Sequence, residues 1–145
     1  LGVLCGQSYL PETLALMTPH LTYHWTLAYL TPGGQAVQLW QRQVNTFWKP
    51  VLWFTNGAYT GPWVGDVARS AVNDNDKDFH PWGQSESGMA DLVRRLSQPG
   101  DHILDPFCGA GTTGVAALAL GRRFTGIDRD LAALRQARRR LHDGE

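Results

Sequence analysis

The sequence predicts an α/β fold with a parallel sheet, and three stretches carry that expectation. The first reads as strand, glycine turn and helix. The apolar run His102-Ile103-Leu104 leads into Asp105-Pro106-Phe107-Cys108-Gly109-Ala110-Gly111-Thr112-Thr113-Gly114. A helix of small residues, Val115 to Leu120, leads out and stops at Gly121. The second is a further apolar stretch, Phe124-Thr125-Gly126-Ile127, which ends in Asp128. The third is an amphipathic helix in which Met89, Leu92, Val93 and Leu96 fall at i, i+3, i+4 and i+7, one apolar stripe. Helices alternating with short apolar strands belong to an α/β layout.

Taken in order, Leu1 to Cys5 reads as a buried strand closed by Gly6. Tyr9 to Met17 reads as a short helix with Ser8 as its cap and Pro19 beyond its end. Leu21 to Leu30 is a strand rich in β-branched and aromatic residues, and Thr31-Pro32-Gly33-Gly34 is a turn. Asn45 to Phe54 is a second aromatic strand, ended by Asn56-Gly57. Pro50 interrupts it and predicts an edge or a bulge. These two strands predict an antiparallel pair at one side of the sheet. Ala58 to Phe79 has little periodicity and reads as loop. Its Asp74, Asp76 and Asp78 alternate, but the glycine and closing glutamate of a calcium loop are absent. Ser85 or Ser87 caps the amphipathic helix, and Pro99-Gly100 stops it. The last helix starts at the cap Asp130, with Leu131, Leu134 and Leu141 expected to face inward.

A chain of 145 residues is one domain by length, so residues 1–145 are read as a single unit with a loop insertion over 58–80. Thirteen basic and thirteen acidic residues cancel, and net charge therefore points to no class of partner. Arg122-Arg123, Arg135 and Arg138-Arg139-Arg140 cluster late, either as a solvated helix face or as a phosphate-contacting patch. Cys5 and Cys108 form no disulfide framework and fit a reducing compartment. No run is long or apolar enough to span a membrane and no signal peptide is visible, so a cytoplasmic place is expected. The chain opens on Leu1 rather than Met, which hints at sequence upstream.

The glycine turn carries the chemistry. Glycine is needed where backbone turns sharply or approaches a ligand closely. The first N–H groups of the following helix face whatever occupies such a turn. A carboxylate at the tip of the second strand, Asp128, can accept bonds from both hydroxyls of a ribose. Gly109, Gly111 and Gly114 formally satisfy G-x-G-x-x-G, with Asp128 about 20 residues on, so a dinucleotide site is one reading. Asp105 argues against it, because a carboxylate suits an ammonium and repels a pyrophosphate. S-adenosyl-L-methionine has an ammonium, a ribose and no phosphate.

The run Asp105 to Thr113 resembles the "DPFxGxGTT" cofactor motif of the amino-methylating DNA methyltransferases, which modify N6 of adenine or N4 of cytosine. Gly121 to Asp128 is similar to that family's next segment. His80-Pro81-Trp82-Gly83-Gln84-Ser85 is similar to its "HPxQKP" segment, with one extra residue before Gln84 and Ser85-Glu86 in place of Lys-Pro. The resemblance implies a Rossmann-like S-adenosylmethionine-dependent methyltransferase sheet, in permuted order and incomplete at the N-terminus. It implies S-adenosyl-L-methionine as cofactor and double-stranded DNA as substrate, in a restriction-modification or phage setting. Asp105 would lie near the methionine ammonium, and Pro106, Phe107, Gly109 and Gly111 would shape the turn. Thr112 and Thr113 would bond the carboxylate end or cap the helix, and Asp128 would take the ribose. His80 and Gln84 are either neighbours of the cofactor or serve the loop and helix start.

The family's catalytic motif is Asp/Asn/Ser-Pro-Pro-aromatic, which holds the target amine and stacks on the flipped base. This sequence contains no Pro-Pro, and neither Gly61-Pro62-Trp63 nor His80-Pro81-Trp82 replaces it. No catalytic residue is therefore assigned, and no metal ligand set is seen. In the permuted order the catalytic half comes first. The missing strand would sit between the Ile103 strand and the Leu1 strand, leaving both with open edges. The expectation is a C-terminal, cofactor-binding part, inactive alone, that needs an N-terminal catalytic half or a partner chain. A nicotinamide-dependent oxidoreductase and a non-catalytic cofactor-binding partner are the rival readings.

Overall fold

The structure, a computed structural model, describes residues 1–31, 36–71 and 84–142. They fall into two compact units, Leu1–Arg69 and Ser70–Glu145.

The first unit is a four-stranded sheet with the order β1-β5-β2-β6. Strand β1 is Gly2–Leu4, β2 is Thr22–Leu30, β5 is Trp48–Thr55 and β6 is Val67–Ala68. Both β1 and β2 run antiparallel to β5, with Leu4 opposite Val51 and Ala28 opposite Pro50. The aromatic strands thus form the expected antiparallel pair. Pro50 to Phe54 are buried one after another, so this stretch of β5 is covered on both faces.

That position corrects the reading of Pro50 as an edge or bulge residue. Cys5 N–H donates to the Pro50 carbonyl at 3.2 Å. The reciprocal bond would need the N–H that proline lacks. The β1 ladder ends one residue earlier, at Leu4, so the strand accommodates proline where its neighbour stops. The register shift of this sheet lies instead in β2, between Tyr23 and Trp25.

Three further differences are local. The stretch read as one strand from Asn45 breaks at Phe47. Val44–Thr46 forms β4, paired antiparallel with β3 (Val37–Leu39), and Gln43 takes a left-handed conformation, φ 54°, between them. Thr46 Oγ1 donates to the Trp48 carbonyl at 2.9 Å, fixing the break. Within the stretch read as loop, Val67 and Ala68 pair parallel with Ala28 and Tyr29. Ser8 does not cap helix α1 (Leu10–Met17): it lies in a 3₁₀ turn over Gln7–Tyr9, Tyr9 is the N-cap, and Pro11 sits in the first turn. The Pro32-Gly33-Gly34 turn and the acidic run 73–78 lie outside the described residues.

The second unit alternates helix and strand. Helix α2 is Glu86–Leu96, β7 is His102–Asp105, α3 is Thr112–Ala119, β8 is Arg123–Gly126 and α4 is Leu131–His142. Strands β7 and β8 pair in parallel, His102 opposite Arg123 and Asp105 opposite Gly126, with α3 as the crossover. Ser85 caps α2 by accepting the Gly88 N–H at 3.0 Å, and Met89, Leu92 and Val93 are buried as their spacing predicts. Asp130 caps α4, accepting from Ala132 N–H at 2.8 Å.

The inward face of α4 differs from expectation. Leu131 is 68% exposed, Leu134 and Leu141 are half-buried, and Ala133 and Ala137 are buried. A Cβ built on Gly111 would meet the Ala137 Cβ at 2.9 Å, so the helix approaches too closely for leucine there. Arg122 is buried between helix ends. It donates to the Leu120 carbonyl at 2.5 Å, the Ser97 carbonyl at 2.7 Å and Ser97 Oγ at 3.1 Å. A cation suits the C-terminal carbonyls of two helices.

Among the described residues β1 is paired only with β5, and β7 only with β8. Each strand therefore keeps one open edge, as the sequence reading expects. Leu104 of β7 is 59% exposed, unusual for a parallel strand.

Candidate cofactor-binding site

The site is built where β7 and β8 end. The ladder extends past both strands: Ile127 N–H donates to the Asp105 carbonyl and Cys108 N–H to the Ile127 carbonyl, each at 2.9 Å. Asp105 then turns the chain by accepting the Phe107 N–H at 3.0 Å on Oδ1. Gly109 and Gly111 adopt φ of 51° and 83°, a region that disfavours side chains. Gly111 N–H closes the turn onto the Cys108 carbonyl at 2.8 Å. Space beside Gly109 is open, with no atom within 4 Å of where its Cβ would be.

Asp128 fastens this turn to the second strand. Its Oδ2 accepts the Gly109 N–H at 2.8 Å and its Oδ1 the Asp130 N–H at 2.9 Å. It remains half-buried, and a carboxylate offers about four lone-pair sites. Asp105 is likewise half-buried, Pro106 is exposed and Phe107 is 86% exposed at the rim. Two carboxylates from adjacent strand ends thus flank a glycine turn that a ligand can approach.

Helix α3 begins at Thr112, earlier than the expected Val115, so Thr112 and Thr113 occupy its first turn. Gly111 is the N-cap and no side chain caps it, which removes the capping role for the threonines. Thr112 instead accepts from Arg140 at 3.3 Å. Gln84 is half-buried immediately before the cap Ser85, while His80 lies outside the described residues.

Cys108 lies inside the turn and is buried, its sulfur packed where Gly126 leaves room: a Cβ there would come within 2.8 Å of it. Burial, then the charges of Asp105 and Asp128, push its thiol pKa up. The neutral thiol is a packing group, not a nucleophile. No set of three or more His, Cys, Asp or Glu among the described residues could hold a metal ion. None of their helices is long and apolar enough to cross a membrane.

Sequence reasoning missed Arg140 and Glu86. Arg140 donates to the Ala110 carbonyl at 2.7 Å and pairs with Glu86 of α2. It departs from the solvated-face reading of the arginine cluster, because its side chain is 12% exposed. Its place one turn after the buried Ala137 was the available signal.

The residues fit S-adenosyl-L-methionine: carboxylates suited to a ribose and an ammonium, open space at Gly109, and a first turn of α3 that no side chain caps. The comparisons with known proteins agree in kind. Over 79 residues the chain is 42% identical to the type II methyltransferase M2.DpnII of Streptococcus pneumoniae, covering 54% of this chain and 29% of that protein. The type II methyltransferase M2.LlaDCHI of Lactococcus lactis subsp. cremoris is 38% identical over 82 residues, 57% of this chain and 30% of that protein. The chain thus spans about three tenths of the length of these curated relatives. Among solved structures, the M1.HpyAVI–SAM complex superposes with a TM-score of 0.80 at 20% identity, over 97% of this chain and 72% of that one. The cytosine-N4-specific PvuII DNA methyltransferase gives 0.74 at 16% identity, over 93% and 57%. These likenesses show the α/β fold of solved DNA methyltransferases. The DNA methylase model covers residues 24–139, most of the chain including the glycine turn and Asp128, and the chain belongs to that N6/N4 DNA methylase family.

Proposed function

We propose that residues 1–145 are the C-terminal, cofactor-binding portion of a methyltransferase domain that methylates an exocyclic amine in double-stranded DNA, adenine N6 or cytosine N4. The observation that carries this reading is the turn from Asp105 to Asp128, fastened by the Asp128–Gly109 bond, in a chain of this family. When bound, S-adenosyl-L-methionine supplies a methyl group activated on a sulfonium sulfur. Asp128, fixed at the turn by its bonds to the Gly109 and Asp130 N–H groups, holds the ribose hydroxyls through its carboxylate. Asp105 receives the ammonium. Phe107, Pro106, Gly109 and Gly111 shape the wall, and Thr112 and Thr113 face the carboxylate end. Gln84, next to the cap Ser85, neighbours the methionine side.

The acceptor-bearing Pro-Pro-aromatic element, which this sequence lacks, comes from chain outside these residues or from a partner. The open edges of β1 and β7 support a missing strand. The segment from 58 to 80 touches DNA. Supporting this, Tyr59 Oη donates to the Pro62 carbonyl at 2.9 Å, and Trp63 beside it stands fully exposed, free to stack on a base. The parent enzyme works with DNA in the cytoplasm, in a restriction-modification or phage setting.

The test is methyl transfer to duplex DNA, read by mass analysis of the nucleosides. The polypeptide encoded in frame with the DNA upstream of Leu1 should yield N6-methyladenine or N4-methylcytosine. The 145-residue chain alone should yield neither. Transfer by the short chain alone would overturn this division of labour, and a transfer-dead parent that binds cofactor would favour the non-catalytic partner reading.

A further inference from the structure

Beside the glycine turn, the second unit carries an ion pair of the largely buried Arg140 with the more exposed Glu86, and neither residue has a cofactor role above. Arg140 sits in the last turn of α4, on the face that brings Ala137 against Gly111. Its Nη1 donates to the Ala110 carbonyl at 2.7 Å and to Thr112 Oγ1 at 3.3 Å, and its Nη2 pairs with Glu86 at the start of α2. A planar guanidinium can serve such divergent partners at once, and an ammonium cannot. Three elements, α2, α4 and the glycine turn, are thereby pinned to one side chain.

The consequence lies at Thr112. A hydroxyl has one hydrogen and two lone pairs. Arg140 donates to the oxygen, so the hydroxyl hydrogen points away from the cation. Among the described residues that hydrogen has no acceptor. A hydroxyl that accepts from a cation is polarised into a stronger donor. Glu86 balances the guanidinium from the other side, so Arg140 is held rather than free to bind an anion itself.

We infer that Arg140 is a positioning residue for the carboxylate at the methionine end of the cofactor: it aims the Thr112 hydroxyl and fixes Ala110 so that the first turn of α3 faces that carboxylate. This rests on the cofactor reading above. It assigns Arg140 to the ligand's amino-acid end and leaves the nucleoside end to Asp128.

Two probes separate these ends by calorimetry on the full 145-residue chain. S-adenosyl-L-methionine carries the carboxylate, whereas 5′-methylthioadenosine keeps the nucleoside and the sulfur without it. Arg140→Met should weaken S-adenosyl-L-methionine roughly tenfold to hundredfold while changing methylthioadenosine less than about twofold. Arg140→Lys, which keeps the charge, covers the case in which the methionine variant does not fold. It should show the same selectivity with a smaller loss. Thr112→Val should weaken S-adenosyl-L-methionine alone, and adding it to Arg140→Lys should cost no more than the larger single change. Equal losses for both probes, or additive losses in the double variant, would overturn the assignment and leave Arg140 a clamp of the fold. A wild-type chain that binds methylthioadenosine but not S-adenosyl-L-methionine would overturn it too. A chain that binds neither would remove the cofactor reading, and this role with it.

Discussion

Gly111 and Ala137 meet so closely that a methyl group on the glycine would lie 2.9 Å from the alanine Cβ and 3.2 Å from its Cα. The same glycine has φ 83° and is the N-cap of α3. One position thus sets the turn, starts the helix and admits α4. Gly111→Ala should destabilise the chain by roughly 2–4 kcal/mol, combining left-handed strain with overpacking against backbone that cannot shift. Urea unfolding measures it, and a loss below about 1 kcal/mol would show that α4 moves away at little cost.

Arg122 joins the last carbonyls of α2 and α3 from a buried place. Arg122→Lys keeps the charge but cannot reach Leu120 and Ser97 together. About 1–3 kcal/mol of stability should go with each carbonyl left without a donor. Lysine matching arginine in a thermal melt would mean that charge alone matters at this site.

Cys108 should resist alkylation at neutral pH, because burial and two nearby carboxylates hold its thiol protonated. The linkage has a definite sign. A thiol whose folded pKa is raised gives stability that is fully present below the unfolded thiol value, about 8.5, and is lost as pH rises through the folded value. Cys108→Ser should therefore flatten the alkaline fall in stability. Rapid labelling of Cys108 by iodoacetamide at pH 7 in the folded chain would contradict its enclosure.

The parts of this molecule that could be read from sequence are those fixed by local geometry. Gly109 and Gly111 mark a turn that only φ above zero can make, and the i, i+3, i+4 spacing of Met89, Leu92 and Val93 marks a buried stripe whatever it packs on. The placement of Asp128 beside that turn follows from its position just past the second parallel strand. Pro50 was not legible, since its tolerance depends on where β1 stops, a fact of the neighbouring strand. Leu131 reads as core by hydropathy, yet close approach to Gly111 gives the inward face to alanines. Arg140 reads as surface because a charge on a helix gives no hint of a carbonyl thirty residues upstream.

Whether the turn between Asp105 and Asp128 holds S-adenosyl-L-methionine is decided by calorimetric titration of that cofactor and of NADH into the chain and its Asp128→Ala variant. S-adenosyl-L-methionine should bind, NADH should not, and Asp128→Ala should cost ~2–4 kcal/mol of binding if the carboxylate makes two buried charge-assisted bonds to the ribose. Asp128→Asn, which keeps an acceptor for the Gly109 N–H, should lose less and retain the fold of the turn. Near-unchanged affinity in Asp128→Ala, or a preference for NADH, would contradict the assignment of this turn as the methyl-donor site.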